Sequence, residues 1–192
     1  MFLIVDCETN GLPNNWKAPV TDLANWPRVV QLAWAFYDES HQPLASAARI
    51  VRPDGFTIPP SATRVHGIST ERAMAEGYPI TEVLTELSWA STNARVVVAH
   101  NAAFDGSIIA AEYLRLGLEP PFVPDSMICT MRQSTDYCRL PGPYGNKWPK
   151  LDELYEILFG TPFEGAHDAG VDAAVCACCF FELENRGVIR VR

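Results

Sequence analysis

The amino-acid sequence predicts an α/β fold, with a mixed sheet of three antiparallel strands followed by parallel strands and helices on both faces. Three apolar, strand-like runs precede any helical pattern, and the first of them is apolar at every position. After them, strand-like and helix-like segments alternate, which is typical of parallel strands connected by helices. These observations predict one layered α/β domain.

The first three predicted strands follow one another closely. Residues 2–5 are wholly apolar and stop at acids, which indicates a buried central strand. The Gly-, Pro- and Asn-rich residues 9–27 predict a loop, and residues 29–37 a second strand. The polar stretch 38–43 turns the chain into a third strand at residues 44–52. Short polar turns connect antiparallel neighbours, so the second and third strands are expected to pair in that sense.

Helical patterns dominate the rest of the chain. Two further strands are expected at residues 95–99 and 127–130. A loop rich in Pro and Gly is expected at residues 140–150. Helix start and stop signals predict helices at residues 61–66, after 69–70, at 81–90, 102–116, 151–159 and about 168–185.

Length and composition fit one globular domain. The 192 residues are 48% hydrophobic, so we expect a single domain over residues 1–192, with 187–192 as a possible tail. No apolar run approaches the roughly 18 residues that a bilayer span needs, and no basic region or cleavage site follows Met1. We therefore expect a soluble, cytoplasmic protein that does not enter a membrane.

The net charge of −8 argues at first sight against a nucleic-acid partner, because non-specific binding relies on Lys and Arg. Bound divalent cations, however, would reverse part of that charge where a substrate meets the site. The acidity then indicates a small footprint on a few terminal nucleotides. The alternative is that the charge only maintains solubility.

The six cysteines are expected to be reduced thiols, because a chain of this length has a full core. The Cys176-x-Cys178-Cys179 tract superficially resembles a metal site. Its apolar neighbours instead predict a tightly packed helix in which cysteine acts as a small hydrophobic residue.

Three segments place acids and histidines where an α/β sheet presents ligands. Asp6 and Glu8 share one face of the opening strand, because side chains alternate with a period of two. Asp105 follows a buried strand and opens a helix. His167 and Asp172 are five residues apart at the start of the last helix, so both can face one site only if His167 lies on the loop or first turn.

Each segment also has a purely structural interpretation. Acids often end strands for solubility. Asn101 is suited to cap its helix, and Asp105, Asp168 and Asp172 would favour the positive ends of their helices. His167 would then be an ordinary surface residue.

The segments together resemble the three motifs of the DEDDh branch of the DnaQ-like 3′→5′ exonucleases. The motifs stand in order as Asp6-x-Glu8-Thr9 with Gly11-Leu12, His100-Asn101 with Phe104-Asp105, and His167-x-Ala169-x-x-Asp172. A further hallmark of that family, Val65-His66-Gly67-Ile68-Ser69, lies between the first two. The resemblance covers residues 1 to about 186 and implies an RNase H-like fold.

The resemblance implies that four acids hold two Mg²⁺ or Mn²⁺ ions, namely Asp6, Glu8, Asp105 and Asp172. Elementary electrostatics agrees, because two charges 4 Å apart repel by about 4 kcal/mol at an effective dielectric of 20. Hard carboxylate oxygens prefer such ions, and a two-ion site suits displacement at phosphorus. His167 would be the general base, since imidazole with its ordinary pKa of ~6.5 suits neutral pH.

The resemblance also implies the residues that hold substrate. Backbone near Thr9 and Gly11 would hold the terminal 3′-hydroxyl, and Leu12 would wedge against the last base. His66, Asn101 and Phe104 would help to seat the terminal nucleotides. Separately, Tyr144, Lys147, Trp148 and Lys150 form an aromatic, basic loop that either binds single-stranded nucleic acid or simply covers the core.

The expected function is therefore a 3′→5′ exonuclease acting on single-stranded DNA and releasing 5′-mononucleotides, in a proofreading or repair setting. RNA is the alternative substrate, because nothing in the sequence shows readout of a 2′-hydroxyl. A non-catalytic accessory module of a polymerase or nuclease is the alternative from another class. A phosphatase with Asp6 as nucleophile leaves Glu8 and Asp105 unexplained. Partners in a polymerase or repair complex are possible, and the oligomeric state is left open.

Overall fold

The computed structural model, which describes residues 1–191, contains a five-stranded sheet in the order β3-β2-β1-β4-β5. The strands are β1 (Phe2–Thr9), β2 (Val29–Tyr37), β3 (Pro43–Ile50), β4 (Val96–Ala99) and β5 (Ile128–Cys129). β1 pairs with β2, and β2 with β3, in antiparallel fashion, whereas β1 with β4 and β4 with β5 are parallel. The predicted mixed sheet is confirmed.

Helices cover both faces of this sheet, as expected. They are α1 (Pro60–His66), α2 (Thr70–Glu76), α3 (Ile80–Thr92), α4 (Ala102–Arg115), α5 (Thr130–Cys138), α6 (Leu151–Phe159) and α7 (Ala169–Asn185). A hydrophobic core lies on each face of the sheet, and alternate residues of β1 contribute to each. Phe2 and Ile4 pack with α6 and α7, whereas Leu3 and Val5 pack with α3 and α4. α1 and α2 enclose a smaller cluster around Ile68.

The first strand is longer than its sequence suggests. Its apolar run ends at Val5, but the strand continues through the acids to Thr9 because β2 pairs with it along its whole length, with Asp6 opposite Ala33 and Glu8 opposite Gln31. The pairing becomes irregular between Glu8 and Thr9. Backbone pairing thus overrides the low strand preference of the acids and holds them on a rigid element.

Other boundaries differ by a few residues. The third strand ends at Ile50, and Val51 pairs instead with Tyr78. The 140–150 loop contains a small hairpin of β6 (Pro141–Gly142) and β7 (Gly145–Asn146), and a 3-10 turn (Pro124–Ser126) precedes β5.

The end of the chain departs from the expected tail. Ile189 is only 1% exposed and packs in the core cluster that contains α7. An apolar residue at this point is enough to anchor the segment, so the tail interpretation is wrong through Ile189. Arg192, the last residue of that expected tail, lies outside the described residues.

The last helix is the apolar, packed element that its sequence indicates. Cys176 and Cys179 are buried beside Phe180, whereas Cys178 is exposed. All six cysteines are free thiols. Within residues 1–191, no helix is both long enough and apolar enough to cross a membrane.

Candidate active site

The two acids of β1 point toward the α7 side of the sheet. Cys7 between them is buried in the opposite core with Leu3 and Val5. The predicted shared face of Asp6 and Glu8 is therefore confirmed, and both side chains remain partly exposed.

Asp105 is brought to the end of β1 by the way in which the sheet stops. The parallel pairing of β1 with β4 ends at Ile4 and Val98, so the next part of that edge of β1 has no strand beside it. Asp105, in the first turn of α4, fills the gap: its Oδ1 accepts hydrogen bonds from the Cys7 amide at 3.1 Å and from Cys7 Sγ at 3.2 Å. Its side chain is thus buried and fixed against the strand that carries Asp6 and Glu8.

Asn101 does not cap α4 with its side chain, so the capping alternative is wrong for this residue. It adopts a left-handed backbone conformation with φ of 73°. This conformation is costly for a residue with a Cβ and is often found at functional sites. The sharp turn lets the chain leave β4 and place Asp105 back over the sheet edge.

His167 lies on the loop before α7, as its spacing from Asp172 requires. Its φ is 68°, and its backbone amide donates to Asp172 Oδ2 at 2.9 Å. Asp168 caps the helix by accepting from the amides of Gly170 and Val171. The local bonds therefore turn His167 back toward the acid one helical turn into α7.

These elements bring Glu8, His167 and Asp172 together. One ligand atom from each lies within 4.8 Å of the others, in a group suited to hold a metal ion. Asp6 and Asp105 lie outside this group of three, although they are close enough to influence the same acids electrostatically. That all four acids are metal ligands stays a prediction.

The electrostatics of the site calls for added positive charge. Burial and repulsion from neighbouring acids raise the pKa of Asp6 well above its ordinary value, and burial chiefly raises the pKa of Asp172. Burial also raises the pKa values of Glu8 and Asp105 to about 7. Among the ion pairs of residues 1–191, none joins a Lys or Arg to these four acids. A set of carboxylate oxygens without its own counterions fits hard divalent cations.

A first cleft of about 640 Å³ opens beside this site. It is lined by most of the residues expected to hold substrate: Thr9, Gly11, Leu12, His66 and Phe104, together with Glu8 and His167. Burial lowers the pKa of His66, and a hydrogen bond with the Thr9 backbone opposes that shift. Its Nδ1 accepts the Ile68 amide at 3.2 Å, which fixes the ring beside the cleft.

Asn101 is the exception among the expected substrate residues. It lines a second cleft of about 490 Å³, together with His100, Trp148, His167 and Asp172. The linear motif places Asn101 near Phe104, but the left-handed turn directs the two residues to different clefts. That Asn101 helps to seat the terminal nucleotides stays a prediction.

One residue that positions the site was not anticipated. Gln31 accepts a hydrogen bond from the Ala169 amide and donates to Asp168, which fixes the start of α7 on the sheet. Trp16, from the long loop, packs against Phe104 with 5.6 Å between the ring centroids. Only the cap position of Asp168 carried a readable local signal, because the other contacts join distant segments.

Comparison with known proteins gives a consistent assignment. A family model described as Exonuclease, RNase_T, matches residues 3–180. A Mycobacterium tuberculosis protein, provisionally named a bifunctional exonuclease/endonuclease, is 25% identical over 189 residues. That match covers 97% of this chain and 27% of the relative.

Solved structures share the fold. Escherichia coli exonuclease I, in a zinc-bound complex with single-stranded DNA, superposes with a TM-score of 0.74 at 18% identity. Exonuclease I of Methylocaldum szegediense gives a TM-score of 0.73 at 19% identity. Both matches cover 96% of this chain and 40% of the other, so the chain spans well under half the length of these relatives. At this identity the likeness shows the RNase H-like exonuclease fold.

Proposed function

Because the chain belongs to the RNase T family of exonucleases, we propose that it removes nucleotides one at a time from the 3′ end of single-stranded DNA. The products would be 5′-mononucleotides. The observation that carries this proposal is the group of uncompensated acids with His167 at one edge of the sheet, beside a cleft large enough for a nucleotide. We propose further that residues 1–192 act as one exonuclease domain.

The acids would hold two Mg²⁺ or Mn²⁺ ions. Asp6, Glu8 and Asp172 would hold one ion, and Asp6 and Asp105 would hold the other. When bound, the ions would stabilise the attacking and leaving oxygens of an in-line displacement at phosphorus. β1 supplies two of the acids from a paired strand, which keeps their separation fixed.

His167 would act as the general base. Its ring nitrogen lies within 4.8 Å of carboxylate oxygens of Glu8 and Asp172, where an attacking water would sit. The water oxygen forms the new bond to phosphorus, His167 takes a proton from the water, and the bond from phosphorus to the 3′-oxygen of the preceding nucleotide breaks. That oxygen takes a proton from solvent and becomes the new 3′-hydroxyl, and the phosphate stays on the 5′-oxygen of the released nucleotide.

The first cleft would hold the terminal nucleotide. Backbone at Thr9 and Gly11 would contact the 3′-hydroxyl. Leu12 is 70% exposed at the rim, where it is free to pack against a base. His66 Nε2 and the ring of Phe104 face the same space. The restricted volume favours a frayed or single-stranded end over an intact duplex.

A digestion of matched 5′-labelled single-stranded DNA and RNA tests this proposal. We expect a ladder that shortens from the 3′ end with Mg²⁺ or Mn²⁺, no products with EDTA, and faster cleavage of DNA. The Asp172→Asn variant controls for contaminating nuclease. Cleavage of RNA alone would change the substrate class, and no cleavage under any condition would favour the accessory-module alternative.

A further inference from the structure

The two clefts described above meet at His167, which lines both of them. A phosphodiester held at Glu8, His167 and Asp172 must send its two flanking nucleosides away in different directions. If the terminal nucleoside occupies the first cleft, the second cleft lies on the opposite side of the scissile bond. It is therefore placed to receive the next nucleotide of the strand.

The second cleft has a rigid wall. Partly buried His100 forms hydrogen bonds through Nδ1 with Thr130 Oγ1 at 2.9 Å and through Nε2 with the Pro149 carbonyl at 3.1 Å. The Lys147 amide donates to the Leu140 carbonyl at 2.9 Å, which closes the base of the hairpin loop. Trp148 is thus held between two anchored neighbours, although it lies in a loop.

The chemistry of this wall suits a nucleotide. Trp148 is 58% exposed, so it covers little of the core, and Lys150 lines the cleft next to it. The Arg132 guanidinium, outside the cleft lining, lies 5.6 Å from the Trp148 ring centroid. In the described chain no carboxylate forms an ion pair with Arg132 or Lys150. Asp152 also lines the cleft, and its carboxylate accepts the Glu153 amide at 2.8 Å. An exposed indole with adjacent positive charge is a sequence-independent platform for a base and its phosphate.

We propose that the second cleft binds the nucleotide immediately 5′ of the scissile bond, with its base stacked on Trp148 and its phosphate near Arg132 and Lys150. This inference rests on the proposed exonuclease function and adds a second subsite to it. It selects between the two interpretations of the 140–150 loop. It also explains how an acidic protein grips a strand with a short footprint.

The first test combines a protein change with a substrate change. An oligothymidylate is compared with one that carries an abasic residue at the penultimate position, for the native protein and for Trp148→Ala. In the native protein, loss of that base should raise KM on the order of tenfold, with kcat little changed. In Trp148→Ala, the normal substrate should show the same rise, and removing the base should add nothing further.

Trp89→Ala is the matched control. Trp89 is also 58% exposed, but it lies on α3 and contacts Trp34, away from both clefts. The Trp89→Ala variant should therefore show the same KM and kcat as the native protein on each of the two substrates. If Trp148→Ala still discriminates tenfold between the two substrates, the second subsite is refuted.

A binding measurement separates this inference from the proposed activity. Fluorescence anisotropy measures the binding of the labelled normal and abasic oligothymidylates to the native protein and to Trp148→Ala. Ca²⁺ replaces Mg²⁺ so that binding is measured without cleavage. Weaker binding by Trp148→Ala, in a protein that never cleaves, would overturn the exonuclease proposal and keep the subsite. If both proteins bind both substrates equally and cleave normally, the second subsite is overturned and the exonuclease proposal is kept.

Discussion

The buried acid of α4 and the acids around the end of β1 differ in how their charge is balanced. On α4, Glu112 is 1% exposed and accepts hydrogen bonds from Arg28 Nε at 2.8 Å and from the Val29 amide at 3.1 Å. Arg115 also lies 3.0 Å from the same carboxylate. The acids at the end of β1 have no such cationic partners among the described ion pairs.

The difference separates an acid that the chain itself neutralises from acids to which we assign a catalytic role. Glu112 is neutralised from within the chain, and Arg115 in turn donates to the carbonyls of Leu23 and Trp26. The pair therefore fixes the long loop that carries Trp16. The β1 acids have no such partner among the described ion pairs, and under the proposed mechanism bound divalent cations would neutralise them.

Replacing Asp6 by Asn should give the largest loss of cleavage activity, and it tests the acids at the end of β1. Loss of one carboxylate should lower cleavage on the order of 10³-fold, since stabilisation by bound metal is worth several kcal/mol. The same change should raise the melting temperature of the metal-free protein, because it removes a charge that burial and its neighbours disfavour. Gel assays and thermal melts in EDTA measure the two results.

Opposite signs for activity and stability are what identify Asp6 as a ligand position. Asn preserves the shape of the Asp side chain. If the variant shows a cooperative thermal unfolding transition, its loss of cleavage is therefore not caused by unfolding. Full cleavage by Asp6→Asn would remove this residue from the site.

Glu112→Gln tests the structural role of the acid on α4. It leaves Arg28 and Arg115 without a carboxylate, which should lower the free energy of unfolding by about 3 kcal/mol. Urea denaturation measures this, and cleavage per folded molecule should stay near that of the native protein. The control Glu76→Gln removes an exposed ion pair with Arg72 and should change stability by less than about 1 kcal/mol. An unchanged denaturation midpoint for Glu112→Gln would contradict the structural role.

The local patterns predicted much of this architecture. The strand period placed Asp6 and Glu8 on one face, and the helix period required His167 to lie on a loop. Both follow from geometry within a few residues, so no knowledge of distant contacts was needed. The α6 boundaries were also predicted correctly, from the loop that precedes the helix and the glycine that follows it.

The contacts across long sequence separations were not readable. Cys7 holds Asp105 across 98 residues, and Gln31 contacts Asp168 across 137. The apolar run of β1 stops at Val5, and only its pairing with β2 shows that the strand continues through Glu8 to Thr9. The balanced charge of Glu112 depends in the same way on Arg28 from another segment. Such pairings depend on topology, which periodicity does not encode.

The pH dependence of the metal-free protein should sharpen the comparison. The pKa values of Glu8 and Asp105 are about 7 in the folded protein, against ordinary values of 4.5 and 3.8. Between these limits the folded state binds more protons than the unfolded state, so stability falls as pH rises. Melting in EDTA should therefore be several degrees higher at pH 5.5 than at pH 8. Mg²⁺ should raise the melting temperature at pH 8 more than at pH 5.5, and an equal gain at both would argue against ions at these acids.

Cys7→Ala should have the smallest effect, because it removes one weak donor from Asp105 and leaves the Cys7 amide in place. The Cys7 bonds lower the pKa of Asp105 against the larger effect of burial. Losing the thiol should raise that pKa and reduce cleavage near pH 7 by at most about tenfold, with recovery at higher pH. Cys178→Ala, an exposed thiol on α7, should leave the pH profile of cleavage unchanged. If Cys7→Ala cleaves with the same pH profile as the native protein, the Cys7 amide alone is enough to hold Asp105. The β1 acids would then differ from Glu112 only in having no Lys or Arg partner among the described ion pairs.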